Sequence, residues 1–180
     1  MKQVAMLGGL TLALLCLSSC VETQRMGEIE VTLSVDLGDD PPFASFSISP
    51  SQVTFHVAGM PLAEAWQGKV RPEGAWLALS TLANTIDLVA VARDDERALV
   101  LGSLPLGSYD HVFLELDAVG ATGNDGHPLE TANIVEPIAV AFEIIEGETQ
   151  RLRLELVVVT DWPGDGQVSV FAKNASAVGL

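Results

Sequence analysis

Three histidines, His56, His111 and His127, are the side chains of this sequence best suited to hold a metal or move a proton. Zinc sites usually show paired ligands at HxH or HExxH spacing, because one strand face or one helical turn must aim two nitrogens at one ion. No such pairing occurs here, so the spacing supports no zinc site. His111 alternates in step with Glu115 and Asp117, which predicts a solvated strand face. A Ser-His-Asp triad has no G-x-S-x-G elbow to carry its nucleophile, and phosphate loops and dinucleotide fingerprints are missing from the sequence. A hydrolase is therefore the least favoured reading, and no catalytic residue is expected.

Acidic turns invite calcium instead. Asp39-Asp40, Asp94-Asp95-Glu96, Asn124-Asp125, and Asp161 with Asp165 could supply oxygen ligands from one end of a domain. The Asp161–Gly166 segment has part of an EF-hand rhythm, but Pro163 occupies a ligand position and no helical pattern flanks it. The same residues read more simply as solvated turns, so no cofactor is required and calcium is at most a helper. Aromatic rings offer a second chemistry, stacking on sugars. Trp66, Trp76, Trp162 and Phe43 lie in or beside connecting segments, and Trp66 is followed by Gln67. The expected ligand-binding set is Trp66, Gln67, Trp162, Asp161 and Asp165. Its rival is ordinary packing of the rings.

The two cysteines tell a different story. Lys2 opens a short positive region, Val4 to Leu17 is apolar, and Leu17-Ser18-Ser19-Cys20 follows. A charged start, an apolar stretch too short to span a bilayer, and small residues before the cut are the pattern of a secretory signal. The last four residues resemble the bacterial lipobox, which implies cleavage before Cys20 and lipid on the Cys20 sulfur. Cys16 leaves with the signal, so the mature domain keeps no free thiol and no disulfide. The expected organisation is a signal over 1–19, a lipidated Cys20 with a short tether through residue 27, a β-domain over 28–174 and a tail over 175–180. Seven tether residues reach at most about 25 Å, which keeps the domain close to its membrane. Val21, rather than Asp, follows Cys20, which points to the outer membrane over the inner.

Bulk properties agree with an anchored aqueous domain. The chain has 180 residues, 9 Lys and Arg against 24 Asp and Glu, and a net charge of −15. Such a body repels nucleic acid and anionic headgroups, so the lipid itself must supply the membrane partner. With 48% hydrophobic residues, the chain can bury a core without metal or disulfide.

Those residues must be positioned by strands. Ile29, Val31, Leu33, Val35 and Leu37 alternate with polar residues. Phe46 and Ile48 do the same, Pro50 interrupts, and Val53, Phe55 and Val57 resume the pattern. Further runs are Trp76 to Leu79, Ile86 to Val91, Ala98 to Leu101, Val112 to Leu116, Ile138 to Ile144, Leu152 to Val158 and Gln167 to Lys173. Turns fall at Gly38, Asn124-Asp125-Gly126, Glu146-Gly147-Glu148 and Pro163 to Gly166. A single helical turn is expected near Leu62 to Trp66. Many short strands with turn punctuation predict an all-β, antiparallel β-sandwich.

Leu104-Pro105-Leu106-Gly107-Ser108-Tyr109 opens one strand in the manner of a tyrosine corner, with Gly107 and Tyr109 as its structural residues. Such an entry is common in prealbumin-like and immunoglobulin-like sandwiches. The wider order is Gly27-Glu28-Ile29-Glu30-Val31, Ile48-Ser49-Pro50-Ser51-Gln52-Val53-Thr54-Phe55-His56, Trp76-Leu77-Ala78-Leu79, Thr85-Ile86-Asp87-Leu88, this corner, and Gly147-Glu148-Thr149-Gln150. That order resembles the bacterial lipoprotein domain of unknown function 4382. The resemblance implies a β-sandwich and an envelope address, and it carries no catalytic residues. Family members often end in a Lys-Pro pair, where here Asn174 follows Lys173.

The expectation is thus a lipid-anchored envelope module that binds glycan or protein without catalysis. Its alternative is a structural subunit of an envelope assembly, docking through Ala139, Ala141 and Ile145 or the apolar stretch from Ala175 to Leu180.

Overall fold

The computed structural model describes residues 24–38, 41, 43–62, 75–134, 136–160 and 167–178. Strands dominate. In chain order they are β1 (Met26–Asp36), β2 (Phe43–Val57), β3 (Trp76–Ser80), β4 (Ile86–Asp87), then helix α1 (Leu88–Asp94), then β5 (Arg97–Pro105), β6 (Gly107–Gly123), β7 (Pro128–Ile134), β8 (Ile138–Ile144), β9 (Thr149–Thr160) and β10 (Gln167–Val178).

Period-2 patterning explains the faces. Along β1, Ile29, Val31 and Leu33 are buried while Glu28 stays exposed. On β2 the buried set changes phase, from Phe46 and Ile48 to Val53 and Phe55. An odd residue must be absorbed between them, and the ladder with β6 shifts register on both sides of Pro50. Pro50, which lacks an N–H, sits where the ladder is broken.

Hydrogen-bonded neighbours run β3-β2-β6-β7-β10-β9-β1-β5, with β4 beside β2 and β8 beside β6. Strand β7 joins the two halves. It pairs with β6 at Leu129 and Pro128, and with β10 from Glu130 to Ile134. The far ends of this path also approach each other. Leu82 N–H donates to the Leu99 carbonyl at 2.9 Å, and Gly102 lies so close to Leu79 that a Cβ there would meet Leu79 Cδ1 at 2.9 Å. The sheet is therefore curled almost into a barrel. Ile29, Leu33, Leu99, Leu152 and Leu154 from one half meet Phe46, Phe55, Val112 and Leu114 from the other in a single core.

Three expectations are corrected and one strand is added. The fold is not wholly antiparallel, since β1 runs parallel to β9 and β7 runs parallel to β10. Alternation reports which face is buried and is silent on which partner lies alongside. Second, the run Ile86 to Val91 is not a strand throughout. Asp87 accepts from Val89 N at 2.9 Å and Ala90 N at 3.4 Å, capping a helix whose Leu88 and Val91 face the core. An unbroken apolar run of that length satisfies either period. Third, the stretch expected as a tail is strand: β10 pairs with β9 as far as Val178 opposite Arg151, and Ala175 is buried. The added strand is β7, which was not expected, because its composition (Pro-Leu-Glu-Thr-Ala-Asn-Ile) is weakly patterned. The helical turn expected near Leu62 to Trp66 falls largely outside the described residues. Among the described residues, no helix is long and apolar enough to cross a membrane.

Candidate functional site

The corner before β6 sets the site's frame. Gly107 has φ +143°, a conformation that side chains with a Cβ rarely adopt. That turn allows the Tyr109 hydroxyl to donate to the Pro105 carbonyl at 2.8 Å. The Tyr109 ring stacks on Phe142 of β8, with centroids 5.1 Å apart and planes 11° from parallel. Burial pushes the Tyr109 phenol up to about 12. The residue after this pinned tyrosine is Asp110.

Asp110 is the extra residue of a bulge. In the β2–β6 ladder Val57 faces Tyr109 and His56 faces His111, which leaves Asp110 without an opposite number. Directly opposed residues of an antiparallel pair share a face, so the register puts His56 and His111 together. Adjacent residues of a regular strand would point to opposite faces, but the bulge lets Asp110 join His111 on the same side. His56 Nδ1 lies 2.6 Å from Asp110 Oδ1, and His111 Nδ1 lies 2.9 Å from the same oxygen. The two imidazoles stand 5.8 Å apart, nearly perpendicular at 84°.

The chemistry of this triplet follows from its donors. A carboxylate only accepts, so both Nδ1 atoms carry a proton and donate to it. The neutral tautomer of each ring then has a bare Nε2. Burial raises the Asp110 carboxyl, but the hydrogen bonds from His111 and His56, with the attraction of those rings when charged, outweigh it and hold the group below the ordinary carboxylate value. His56 is fully buried, with the half-buried Trp76 ring 4.9 Å away. Its Nε2 has no hydrogen-bond partner, and neither has the buried Thr54 Oγ1, two residues earlier on the same strand face. Asp110 and His111 remain reachable, with 35% and 22% of their side chains exposed. Among the described residues, His56, Asp110 and His111 form the one group of His, Cys, Asp or Glu able to surround a metal, their ligand atoms all within 4.8 Å of one another.

Sequence reasoning missed this set: it placed His111 on the outward face of its strand, opposite the buried Val112 and Leu114, but not beside His56 and Asp110. The signal lay in register rather than spacing: pairing the Val53–Phe55 strand with the Val112–Leu114 strand brings the two histidines opposite each other. His127 stands elsewhere, exposed in the Asn124-Asp125-Gly126 turn, where its N–H donates to Asp125 Oδ1 at 3.0 Å. Among the described residues, Asp94, Asp95, Glu96 and Asp125 join no group that could surround an ion, and Asp39 and Asp40 lie outside the described residues. Phe43, a stacking candidate, is core, packed 5.2 Å from Phe46. Cys20, Trp66, Gln67, Asp161, Trp162 and Asp165 lie outside the described residues. A concavity of about 340 Å³ lies elsewhere, beside α1, between Ser34, Asp36, Asp95, Arg153 and Glu155. Its Arg153 is already engaged, donating to Ser34 Oγ at 3.0 Å.

A family model described as "Domain of unknown function (DUF4382)" matches residues 30–169. The chain belongs to the DUF4382 family. The match runs from β1 into β10, so the His56, Asp110 and His111 set lies within the DUF4382 region itself. No curated protein matches the chain. Among solved structures, an NMR structure of a protein from Eubacterium rectale aligns over 85% of this chain and 93% of its own, at 13% identity and a TM-score of 0.21. A TM-score that low bears on neither the fold nor the site of this DUF4382 chain.

Proposed function

We propose that this DUF4382 chain is a lipid-anchored binding module of the cell envelope, without catalytic activity of its own. The observation that carries the reading is Leu17-Ser18-Ser19-Cys20 at the end of an apolar stretch headed by Lys2. The first strand begins at Met26, so only a few residues separate Cys20 from the folded domain. An anchor that short holds the domain against its bilayer, and the net charge of −15 keeps the protein surface off anionic headgroups. We read the curled sheet as an opened β-sandwich of the immunoglobulin-like or prealbumin-like kind, which presents loops at its ends to a glycan or a protein. The outer membrane is the favoured location, since Val21 follows Cys20.

Metabolic labelling with palmitate tests the anchor. Label is expected on the wild-type chain and absent from Cys20→Ala, which should also leave the membrane fraction. A wild-type chain without label refutes the reading. Protease shaving of intact cells then separates a surface address from a periplasmic one.

A second reading, a structural subunit of an envelope assembly, has its own observation. Ala139 and Ala141 of β8 are exposed between buried Val140 and Phe142, and the neighbouring Ile145 is 44% exposed. Such a strand suits docking or strand addition. Co-purification of a stoichiometric envelope protein, lost on Ala141→Lys, favours it.

A further inference from the structure

We propose that His56, Asp110 and His111 bind a divalent transition-metal ion of the zinc class, each through one side-chain atom. The site is independent of the lipid anchor and belongs to the folded domain itself.

The ligand types select the metal. Two imidazoles and one carboxylate suit zinc and its neighbours, whereas calcium and magnesium take oxygen ligands almost alone. The dimensions fit. Bonds of about 2.0–2.2 Å in tetrahedral array place ligand atoms roughly 3.2–3.6 Å apart. The three ligand atoms here already lie within 4.8 Å of one another, and the Nδ1 to Oδ1 contacts of 2.6 and 2.9 Å mark where protons now stand. An ion taking the place of those protons spreads the His111 contact by about 0.3–0.7 Å and the His56 contact by about 0.6–1.0 Å. That adjustment is within reach of Asp110 and His111, which lie at a bulge and are partly exposed.

The surroundings point the same way. A polar cluster that served only to pin two strands would be fully paired, because an orphaned buried polar atom is costly. This one keeps His56 Nε2 and Thr54 Oγ1 buried without partners. These two atoms set the cluster apart from a fully paired strand clasp, while the ion itself would sit on the Nδ1 side, between His56, Asp110 and His111. Burial of His56 against Trp76 holds its ring in place, while the exposed sides of Asp110 and His111 give an ion a way in. Three protein ligands leave a fourth position for water or an incoming group, as in open rather than closed zinc sites.

The test uses the full chain purified in detergent, stripped with EDTA and titrated with zinc or cobalt(II) alone. One ion per chain is expected, with the visible bands of tetrahedral cobalt. His111→Ala and Asp110→Asn should each weaken binding at least tenfold, while His127→Ala leaves it unchanged. Circular dichroism checks that the variants fold. A readout that needs no variant is carbethoxylation of the wild type, in which zinc should protect His111 and leave His127 reactive. The proposal is overturned if zinc uptake is absent, if folded His111→Ala and Asp110→Asn bind as the wild type does, or if zinc leaves His111 as reactive as before.

Discussion

Tyr109 should make this domain sensitive to alkali in a way that one substitution removes. Its phenol rests at about 12 in the folded chain against an ordinary value of 10.0. The sign follows from linkage. Below the unfolded value both states keep the proton, and Tyr109 contributes its full stability. Between the two values only the unfolded chain ionises, so stability falls as pH rises. Across that window of about two pH units the loss is on the order of 2 kcal/mol. Tyr109→Phe keeps the ring on Phe142 but loses the 2.8 Å hydrogen bond to the Pro105 carbonyl. That loss costs about 0.5–1.5 kcal/mol at neutral pH, where the wild type is the more stable. The two stability curves should therefore cross above the ordinary phenol value. Urea melts of both proteins across alkaline pH give the curves. Tyr109 is the sole tyrosine of the chain, so tyrosinate absorbance reports it alone. Parallel curves, or a tyrosinate midpoint near the ordinary value while the protein is still folded, refute the reasoning.

Other expectations concern the same corner and the helix. Gly107→Ala forces a Cβ residue into φ +143° and should cost about 1–3 kcal/mol, read as a lower urea midpoint, although open space surrounds the new methyl group. Asp87→Ala removes the acceptor for Val89 N and Ala90 N and should cost about 0.5–2 kcal/mol, with faster amide exchange confined at first to α1. Loss of palmitate from Cys20→Ala and of zinc from His111→Ala complete the set.

Much of the fold was legible in residue order. β1, the halves of β2, β6, β8 and β9 follow their alternation, and Pro50 marked a break in the ladder that the structure places there. Asn124-Asp125-Gly126 does join two antiparallel strands, with Gly126 at φ +84°. Glu146-Gly147-Glu148 looks alike in sequence and does something else. Its Gly147 has φ +79°, yet it carries the chain from β8, which pairs with β6, to β9, which pairs with β1 and β10. Turn chemistry sets the local reversal and says nothing about which strand receives the chain.

By itself, then, the sequence determined which faces are buried, where the chain turns, the corner at Gly107 and Tyr109, and the family, because each depends on side-chain type within a few residues. The parallel pairings, the path through β7 and the union of His56 with Asp110 and His111 were decided by tertiary structure. These are matters of register between distant segments: His56 and Asp110 lie 54 residues apart, and Glu28 and its β9 neighbour Thr149 lie 121 apart. A single added residue at Asp110 turns a carboxylate toward two imidazoles, and that depends on how two strands align rather than on what either strand contains.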